Sequence, residues 1–253
     1  MRLFSYNILD GGEGRADPLA EVIEAQRADV VALIEADNTD VIERIAKRLA
    51  MDFIRAEGKK HAVCLLSRHP IVETVNHAAL RDDLRCLLEA VVRDAGGTEW
   101  PIGVVHLSAH AREEDESKRE GEVAAVLEVF ARHRNARRPH LLIGDFNTNS
   151  PVQRIEPSRL YPRTQKEWEE NGGVLPRRVI QRVLDAGYID TLHATKAEYA
   201  ASHGTFTTQY PEQRIDYVFA HSIDAGRIRN TWIEYDRLAK YASDHFPIGV
   251  EIQ

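Results

Sequence analysis

Short apolar runs recur along the whole chain, separated by polar stretches and by segments with helical spacing. Valine, isoleucine, leucine and aromatic residues dominate these runs, which favours β-strands. The predicted strands cover residues 2–9, 29–35, 62–67, 84–93, 101–108, 139–145, 214–220 and 246–252. No internal repeat or low-complexity segment interrupts the pattern.

Helical segments lie between some of these strands. Apolar residues fall on one face at helical spacing in residues 17–28, 39–50, 114–133 and 176–186. Asp17 followed by Pro18 predicts an N-cap and a first-turn proline, and Gly187 predicts a C′ glycine. The stretch RDAGGTEW at 93–100 predicts a hairpin turn. Residues 150–176 lack clean periodicity and are expected to form a long surface excursion.

Strands that alternate partly with helices and partly with hairpins predict one or two mixed sheets with helices outside. The 253 residues, of which 43% are hydrophobic, are enough for one large globular domain or two small ones.

The overall charge narrows the range of partners. The chain carries 33 Lys+Arg against 40 Asp+Glu, a net charge of −7. Such a surface repels a polyanion at long range, which argues against nonspecific coating of DNA but allows a local basic cleft. Two cysteines, Cys64 and Cys86, are too few for a disulfide framework and indicate a reducing compartment. With neither a signal peptide nor a membrane span in the pattern, we expect a cytoplasmic protein without an obligate protein partner.

Polar side chains stand at or near the ends of several predicted strands. They are Asn7, Glu35, His106, Asp145, Asn147, Asp216, Asp244 and His245. So many together indicate a site built along one edge of a sheet system, where catalytic groups usually collect. Asp145 and Asn147 would face one cleft together if their strand continues to residue 147, because alternate strand residues point the same way.

Each of these residues also has an ordinary explanation. Glu35 alone could be a solvated strand end, His106 a hydrogen-bonded core histidine, and the 145–147 pair an Asx-type turn. Residues 11–17 (GGEGRAD) imitate a dinucleotide-binding turn, but Asp17 stands where the third glycine would be. The ordinary explanations do not account for the whole ordered set, so a catalytic interpretation is favoured.

The ordered set resembles the motifs of the endonuclease/exonuclease/phosphatase superfamily. The matching positions are Asn7, Glu35, LLSRHPI at 65–71, VVHL at 104–107, GDFN at 144–147, RIDYVF at 214–219 and SDH at 243–245. The resemblance covers almost the whole chain and implies a single domain over residues 1–253. It implies an α/β four-layered sandwich, in which two mixed β-sheets pack face to face and are flanked by helices.

The resemblance also implies a metal site. Glu35 resembles the principal Mg²⁺ ligand, with Asn7 and Asp244 close to the metal or its waters, and Mn²⁺ is the alternative ion. Such oxygen ligands suit a hard divalent cation, which offsets the negative charge that develops on a phosphoryl group. One position departs from the pattern of abasic-site endonucleases, because Leu9 stands where they carry an aspartate.

The other motif residues resemble catalytic groups. Asp145 resembles the residue that orients or deprotonates the attacking water, and Asn147 a donor to a phosphate oxygen. His245 resembles the catalytic histidine, with Asp216 as its carboxylate partner. His106 occupies the position of a second histidine found in deoxyribonuclease-like and sphingomyelinase-like members. Whether Asp145 or His245 takes the proton from water stays open at this point.

The predicted function is therefore a Mg²⁺-dependent phosphoesterase that hydrolyses a phosphodiester by in-line water attack, in the manner of a nuclease. Its partner would be a phosphoester substrate, with nucleic acid as one candidate. The acidic balance keeps two alternatives open: an enzyme that acts on a small-molecule or lipid-headgroup phosphoester, and a non-catalytic phosphate-binding protein of the same fold.

Overall fold

Two mixed β-sheets pack face to face in the computed structural model, which describes all of residues 1–253. The strands are β1 (Arg2–Asn7), β2 (Val30–Ile34), β3 (Asp52–Ala56), β4 (Val63–Ser67), β5 (Ile71–Asn76), β6 (Leu87–Arg93), β7 (Glu99–His106), β8 (His140–Asp145), β9 (Ile189–Asp190), β10 (Asp216–His221), β11 (Ile228–Ile233) and β12 (Ile248–Ile252). The helices are α1 (Ala16–Ala25), α2 (Thr39–Leu49), α3 (Glu113–Asn135), α4 (Pro162–Glu170), α5 (Arg178–Asp185), α6 (Thr191–Thr195), α7 (Ala197–Ser202) and α8 (Arg237–Ala242).

Each sheet has six strands and contains one parallel pair. The first sheet has the order β11-β12-β1-β2-β4-β3, and the second has the order β5-β6-β7-β8-β10-β9. β1 runs parallel to β2, and β7 runs parallel to β8, whereas the other neighbours are antiparallel. Asn7 pairs with Ile34 at the end of one parallel pair, and His106 pairs with Asp145 at the end of the other. The carboxyl ends of the central strands therefore carry the polar residues.

The main core lies between the two sheets. A single cluster of 49 buried residues takes side chains from both, such as Leu33 of β2 and Val104 of β7. A second cluster of 16 buried residues fills the space between the outer face of the second sheet and helices α3 and α5. Burying a large apolar side chain contributes roughly 1.5–3 kcal/mol, so the sheet-to-sheet interface dominates the stability of the fold. The predicted sandwich of two mixed sheets with flanking helices is confirmed.

The first helix starts differently from the prediction. α1 begins at Ala16 with Arg15 in the N-cap position, so Asp17 lies inside the first turn and is not the N-cap. Its carboxylate instead accepts hydrogen bonds from the Arg44 guanidinium of α2, the Nε–Oδ1 distance being 3.0 Å. Pro18 is tolerated because the first helical turn has N–H groups without intrahelical acceptors.

Four strands and several short helices were not predicted. The strands are β3, β5, β9 and β11, which are the outermost strands of the two sheets. Residues 150–176, which were expected to form a long surface excursion, contain α4. None of the helices combines the length and the apolar character needed to cross a bilayer. Cys64 and Cys86 are buried thiols that form no disulfide.

Candidate active site

Asp145 lies at the end of β8 in the space between the two sheets, and its side chain is buried. Its Oδ2 atom accepts a hydrogen bond from Asn7 Nδ2 at 3.1 Å. The same oxygen is 3.8 Å from His106 Nε2 and 3.9 Å from His245 Nε2. Asp145 is thus the residue on which side chains from both sheets converge.

His245 forms a buried ion pair with Asp216. Its Nδ1 atom is 2.8 Å from Asp216 Oδ2, and the ring of Phe206 packs against the imidazole at a centroid distance of 4.8 Å. Asp216 opens β10 and pairs in register with Asp145 of β8, which places the two carboxylates side by side. Burial alone would lower the pKa of His245, but Asp216, followed by Asp145, raises that pKa to about 10. The imidazole is therefore charged at neutral pH.

The neighbouring titratable groups have different charge states. Burial, together with the charge of Asp216, raises the pKa of Asp145 to about 7. Burial, together with the positive charge of Arg85, holds the pKa of His106 well below its usual range, so this ring is neutral. The buried Nδ1 atom of His106 has no hydrogen-bond partner. Titratable groups whose environments separate their pKa values are typical of acid–base sites.

Asn7 connects Asp145 to Glu35. The Asn7 Nδ2 atom also donates to Glu35 Oε1 at 3.3 Å. Glu35 directly follows β2 with a left-handed backbone, φ being 58°, a conformation that is uncommon for residues with a side chain. Its second oxygen, Oε2, accepts a hydrogen bond from the Asp10 backbone N–H at 2.9 Å. Local strain of this kind clusters at functional sites.

Asn147 lies beside Asp145, but not in the expected way. β8 ends at Asp145, and Asn147 adopts a left-handed backbone with φ of 52°, so the two residues are not strand neighbours on one face. The Asn147 N–H donates to Asp145 Oδ1 at 2.8 Å, which is the Asx-type turn considered as the ordinary explanation. The Asn147 side-chain amide donates to the Leu107 carbonyl at 3.0 Å. This turn holds the Asp145 carboxylate in one orientation.

Asp244 brings a further carboxylate to this region. Its Oδ1 atom is 4.0 Å from His245 Nε2 and is buried without a hydrogen-bond partner. Burial raises the pKa of Asp244, and the negative charge of Glu35 adds to this effect. An unpartnered carboxylate oxygen near a second carboxylate is an arrangement of oxygen donors that fits a divalent cation. Asn7 turns its amide nitrogen towards Glu35, and its oxygen accepts a hydrogen bond from the Leu9 N–H at 3.0 Å.

Two residues near Glu35 were missed from the sequence. Asp10, Glu35 and His61 each offer a ligand atom within 4.8 Å of the other two. Asp10 directly follows Leu9, the position at which the superfamily pattern failed, and this neighbouring carboxylate was the available signal. His61 lies just before β4 and belongs to none of the motifs. From the sequence it was only one of several candidates for phosphate contacts, and no signal indicated it as a metal ligand.

A cleft of about 530 Å³ opens next to Asp244. Aromatic and basic side chains line much of it, namely Tyr161, Phe206, Tyr241, Arg163 and Lys240. Tyr161, Phe206 and Arg163 also line a smaller adjoining cavity that reaches Asn147. The site is therefore open to a ligand with both apolar and anionic parts.

Comparison with protein families gives a match over nearly the whole chain. The model of the Endonuclease/Exonuclease/phosphatase family matches residues 4–245. No curated protein sequence matches the chain.

Several solved structures share the fold. A 3′ phosphatase from Neisseria bound to a product DNA hairpin is 18% identical, with a TM-score of 0.75 over 100% of this chain and 99% of that one. An AP endonuclease from Archaeoglobus fulgidus is 15% identical, with a TM-score of 0.73 and coverage of 100% and 99%. An endonuclease/exonuclease/phosphatase from Beutenbergia cavernae is 21% identical, with a TM-score of 0.70 and coverage of 100% and 71%.

Proposed function

The chain belongs to the endonuclease/exonuclease/phosphatase family, and from this premise we propose that it is a divalent-metal-dependent hydrolase that cleaves a phosphodiester by in-line attack of water. Members of the family hydrolyse phosphoester bonds. One observation carries the proposal: the buried Asp145 has the His245–Asp216 ion pair on one side and the Asn7–Glu35 pair on the other.

In this proposal Asp145 orients the attacking water and accepts its proton. Each of its oxygens already receives one hydrogen bond, from Asn7 and from the Asn147 backbone, so the carboxylate is fixed before substrate binds. A carboxylate oxygen has a further lone pair with which to hold a water molecule. The raised pKa of Asp145, about 7, makes the group a stronger base than an ordinary aspartate.

His245 acts as the cationic donor to a phosphoryl oxygen. Asp216 keeps its ring oriented through Nδ1 and keeps it protonated, so that Nε2–H faces the space beside Asp145. A charged donor stabilises the negative charge that accumulates in the transition state more strongly than a neutral one. The neutral His106 and the Asn147 amide provide further polar contacts around the phosphate.

Asn7, Glu35 and Asp244 would hold the metal ion, which we take as Mg²⁺ with Mn²⁺ as the alternative. When bound, such an ion offsets negative charge on the phosphoryl oxygens. Asn7 also has a role that does not depend on the ion. Its Nδ2 atom donates to both Glu35 and Asp145 and so holds the two carboxylates close to each other.

Nucleic acid is the substrate class that the surroundings of the site favour. The cleft beside Asp244 combines aromatic rings, on which bases can stack, with Arg163 and Lys240, which can approach phosphates. Two of the similar structures, the Neisseria phosphatase and the Archaeoglobus endonuclease, are DNA-directed enzymes by name. We therefore assign a DNA or RNA phosphoester ahead of a small-molecule or lipid-headgroup ester.

The test is a panel of single-stranded and double-stranded DNA, RNA and small phosphoesters, assayed with Mg²⁺ and then with EDTA. We expect metal-dependent turnover of a nucleic acid, reduced at least about 100-fold in Glu35→Gln and in His245→Ala. Glu73→Gln and His193→Gln change exposed residues outside the site and serve as matched controls. Turnover that persists in EDTA, or full activity in both site variants, would remove the basis of the proposal.

Salt dependence separates the substrate classes. A polynucleotide held through several phosphates binds more weakly as salt rises, because releasing its condensed counterions gains less free energy when the solution already contains more salt. A steep fall of kcat/KM with salt is therefore expected for nucleic acid. A flat dependence, with preferred turnover of a small ester, would favour the alternative substrate class.

A further inference from the structure

His61 adds a nitrogen donor to the carboxylates around Glu35. The ligand atoms of Asp10, Glu35 and His61 all lie within 4.8 Å of one another. Two metal–ligand bonds of about 2.0–2.2 Å span nearly that distance, so small side-chain movements would bring all three atoms onto one ion. None of the superfamily motifs in this chain includes Asp10 or His61.

The His61 ring is held in place by a carboxylate that is itself fixed. Its Nδ1 atom is 2.7 Å from Asp37 Oδ2, and Asp37 Oδ1 accepts a hydrogen bond from the Ala62 N–H at 2.7 Å. Nδ1 is thus occupied, which leaves Nε2 as the ring nitrogen available to a ligand. Metal-binding histidines usually have their second nitrogen bound to a carboxylate or carbonyl in this way, which fixes the tautomer and the ring orientation.

The backbone around Asp10 brings two carboxylates together. Leu9 and Asp10 both have left-handed backbone conformations, with φ of 53° and 47°. This turn directs the Asp10 N–H to Glu35 Oε2 and places the Asp10 carboxylate near that of Glu35. Two like charges at this separation repel each other, and a cation between them would relieve the repulsion.

We propose that Asp10, Glu35 and His61 form a mixed oxygen–nitrogen site that binds a first-row transition ion in preference to Mg²⁺, and Mn²⁺ serves as the probe ion in the tests below. Mg²⁺ binds almost only oxygen ligands, whereas imidazole nitrogen suits transition ions. The inference rests on the proposed function, because Glu35 is a ligand in both. It extends that function by assigning two further ligands, and it replaces Mg²⁺ with a transition ion as the preferred metal.

The test measures metal binding directly on the full chain. Calorimetric titration with Mn²⁺ and, separately, with Mg²⁺ compares the wild type with His61→Gln and with the control His193→Gln, an exposed histidine of α6. We expect His61→Gln to weaken Mn²⁺ binding at least about tenfold and Mg²⁺ binding less than about threefold. Asp37→Asn, which alters a positioning residue, should weaken Mn²⁺ binding by a smaller factor.

Pulsed electron paramagnetic resonance of bound Mn²⁺ provides an independent readout. The wild type should show coupling to an imidazole nitrogen, and His61→Gln should lack it. Absence of that coupling in the wild type, or equal Mn²⁺ affinity in His61→Gln, would overturn the inference. Absence of the coupling decides against the inference even if a variant fails to fold. Presence of the coupling is assigned to His61 by its loss in a folded His61→Gln, because His245 Nε2 lies 4.0 Å from Asp244.

The two proposals can fail separately. Nitrogen-coordinated Mn²⁺ in a protein that turns over no phosphoester would keep this site and remove the proposed function. Metal-dependent turnover by a protein whose bound Mn²⁺ shows no nitrogen coupling would keep the function and remove His61 as a ligand.

Discussion

Asp216 controls the charge of His245 by direct contact, and it also lies beside Asp145. Its Oδ2 atom contacts His245 Nδ1, and its Oδ1 atom is buried without a hydrogen-bond partner. A buried carboxylate of this kind is costly unless a partner carries the opposite charge. Asp216 and His245 are therefore expected to act as one unit.

Changing Asp216 should alter both the rate and its pH dependence. In Asp216→Asn the charge that raises the pKa of His245 is lost, so the protonated ring disappears at a lower pH. We expect kcat to fall roughly 100-fold and the alkaline limb of the kcat–pH profile to move to lower pH. Asp52→Asn, at an exposed position of β3, is the control. An alkaline limb in the same place as in the wild type would contradict the assignment.

Site residues could be predicted from the sequence where a motif carried them. Asn7 and Asp145 are 138 positions apart, yet the structure places them in direct contact. Asp10 and His61 could not be found in this way, because their approach to Glu35 depends on a left-handed turn and on strand pairing. The strand does not continue to Asn147, so the condition for a shared strand face is not met and the Asx-type turn forms instead. The end of a strand depends on tertiary contacts that periodicity does not report. The catalytic roles of these residues stay predictions.

At the scale of elements, the four missed strands share one property. β3, β5, β9 and β11 lie at the edges of their sheets, where a strand has a neighbour on one side alone. Edge strands are shorter or more polar, since they are partly exposed and must not pair with other chains. β5, for example, has exposed residues at three of its six positions. The alternating or continuous apolar pattern that identifies a central strand is therefore weak in them.

Two glycines offer a matched test of element packing. A Cβ at Gly144 of β8 would lie 2.1 Å from the Val105 carbonyl oxygen of β7, and its φ is 138°. Gly121, an exposed residue of α3, has open space around its Cβ position. We expect Gly144→Ala to destabilise the protein by at least about 2 kcal/mol and Gly121→Ala to stabilise it by about 0.4–1 kcal/mol.

Urea unfolding at neutral pH measures both effects. Equal stability of Gly144→Ala and the wild type would show that β7 and β8 can separate at low cost. The pair of variants controls for the added methyl group, because the chemical change is the same in each.

His140, at the opposite end of β8 from Asp145, should make stability depend on pH. Its Nδ1 donates to the Arg138 carbonyl and its Nε2 accepts from the Tyr188 hydroxyl, at 2.7 and 2.8 Å. Burial, with the nearby His221 ring, lowers the pKa of His140 to about 4. The His140 side chain takes up a proton near pH 6.5 in the unfolded chain but only near pH 4 in the folded protein. The stability that neutral His140 provides is therefore complete above pH 6.5 and is lost as the pH falls towards 4.

The corresponding measurement is urea unfolding at pH 7.5 and pH 5.0. Between pH 7.5 and pH 5.0 we expect the wild type to lose about 2 kcal/mol of unfolding free energy because of His140. His140→Asn should lose clearly less between the same two pH values. A wild-type and a variant curve with equal pH dependence would show that other groups are responsible.

At the scale of the whole molecule, one core serves both sheets. The cluster of 49 buried residues is continuous across the sheet interface, and no set of strands has a separate core of comparable size. The prediction of a single domain over residues 1–253 therefore leads to an expectation about unfolding. We expect one cooperative unfolding transition, with fluorescence and circular dichroism giving the same midpoint. Two separated transitions would show that the sheets unfold as independent units.

The position of β12 has a consequence for biosynthesis. Although it is the last of the twelve strands, β12 lies inside its sheet, between β11 and β1, and His245 stands just before it. During translation, β1 cannot pair with β12 until more than two hundred further residues have been synthesised. A partly made chain would thus lack the ring that faces Asp145, and no hydrolytic activity would be released until translation had passed this strand.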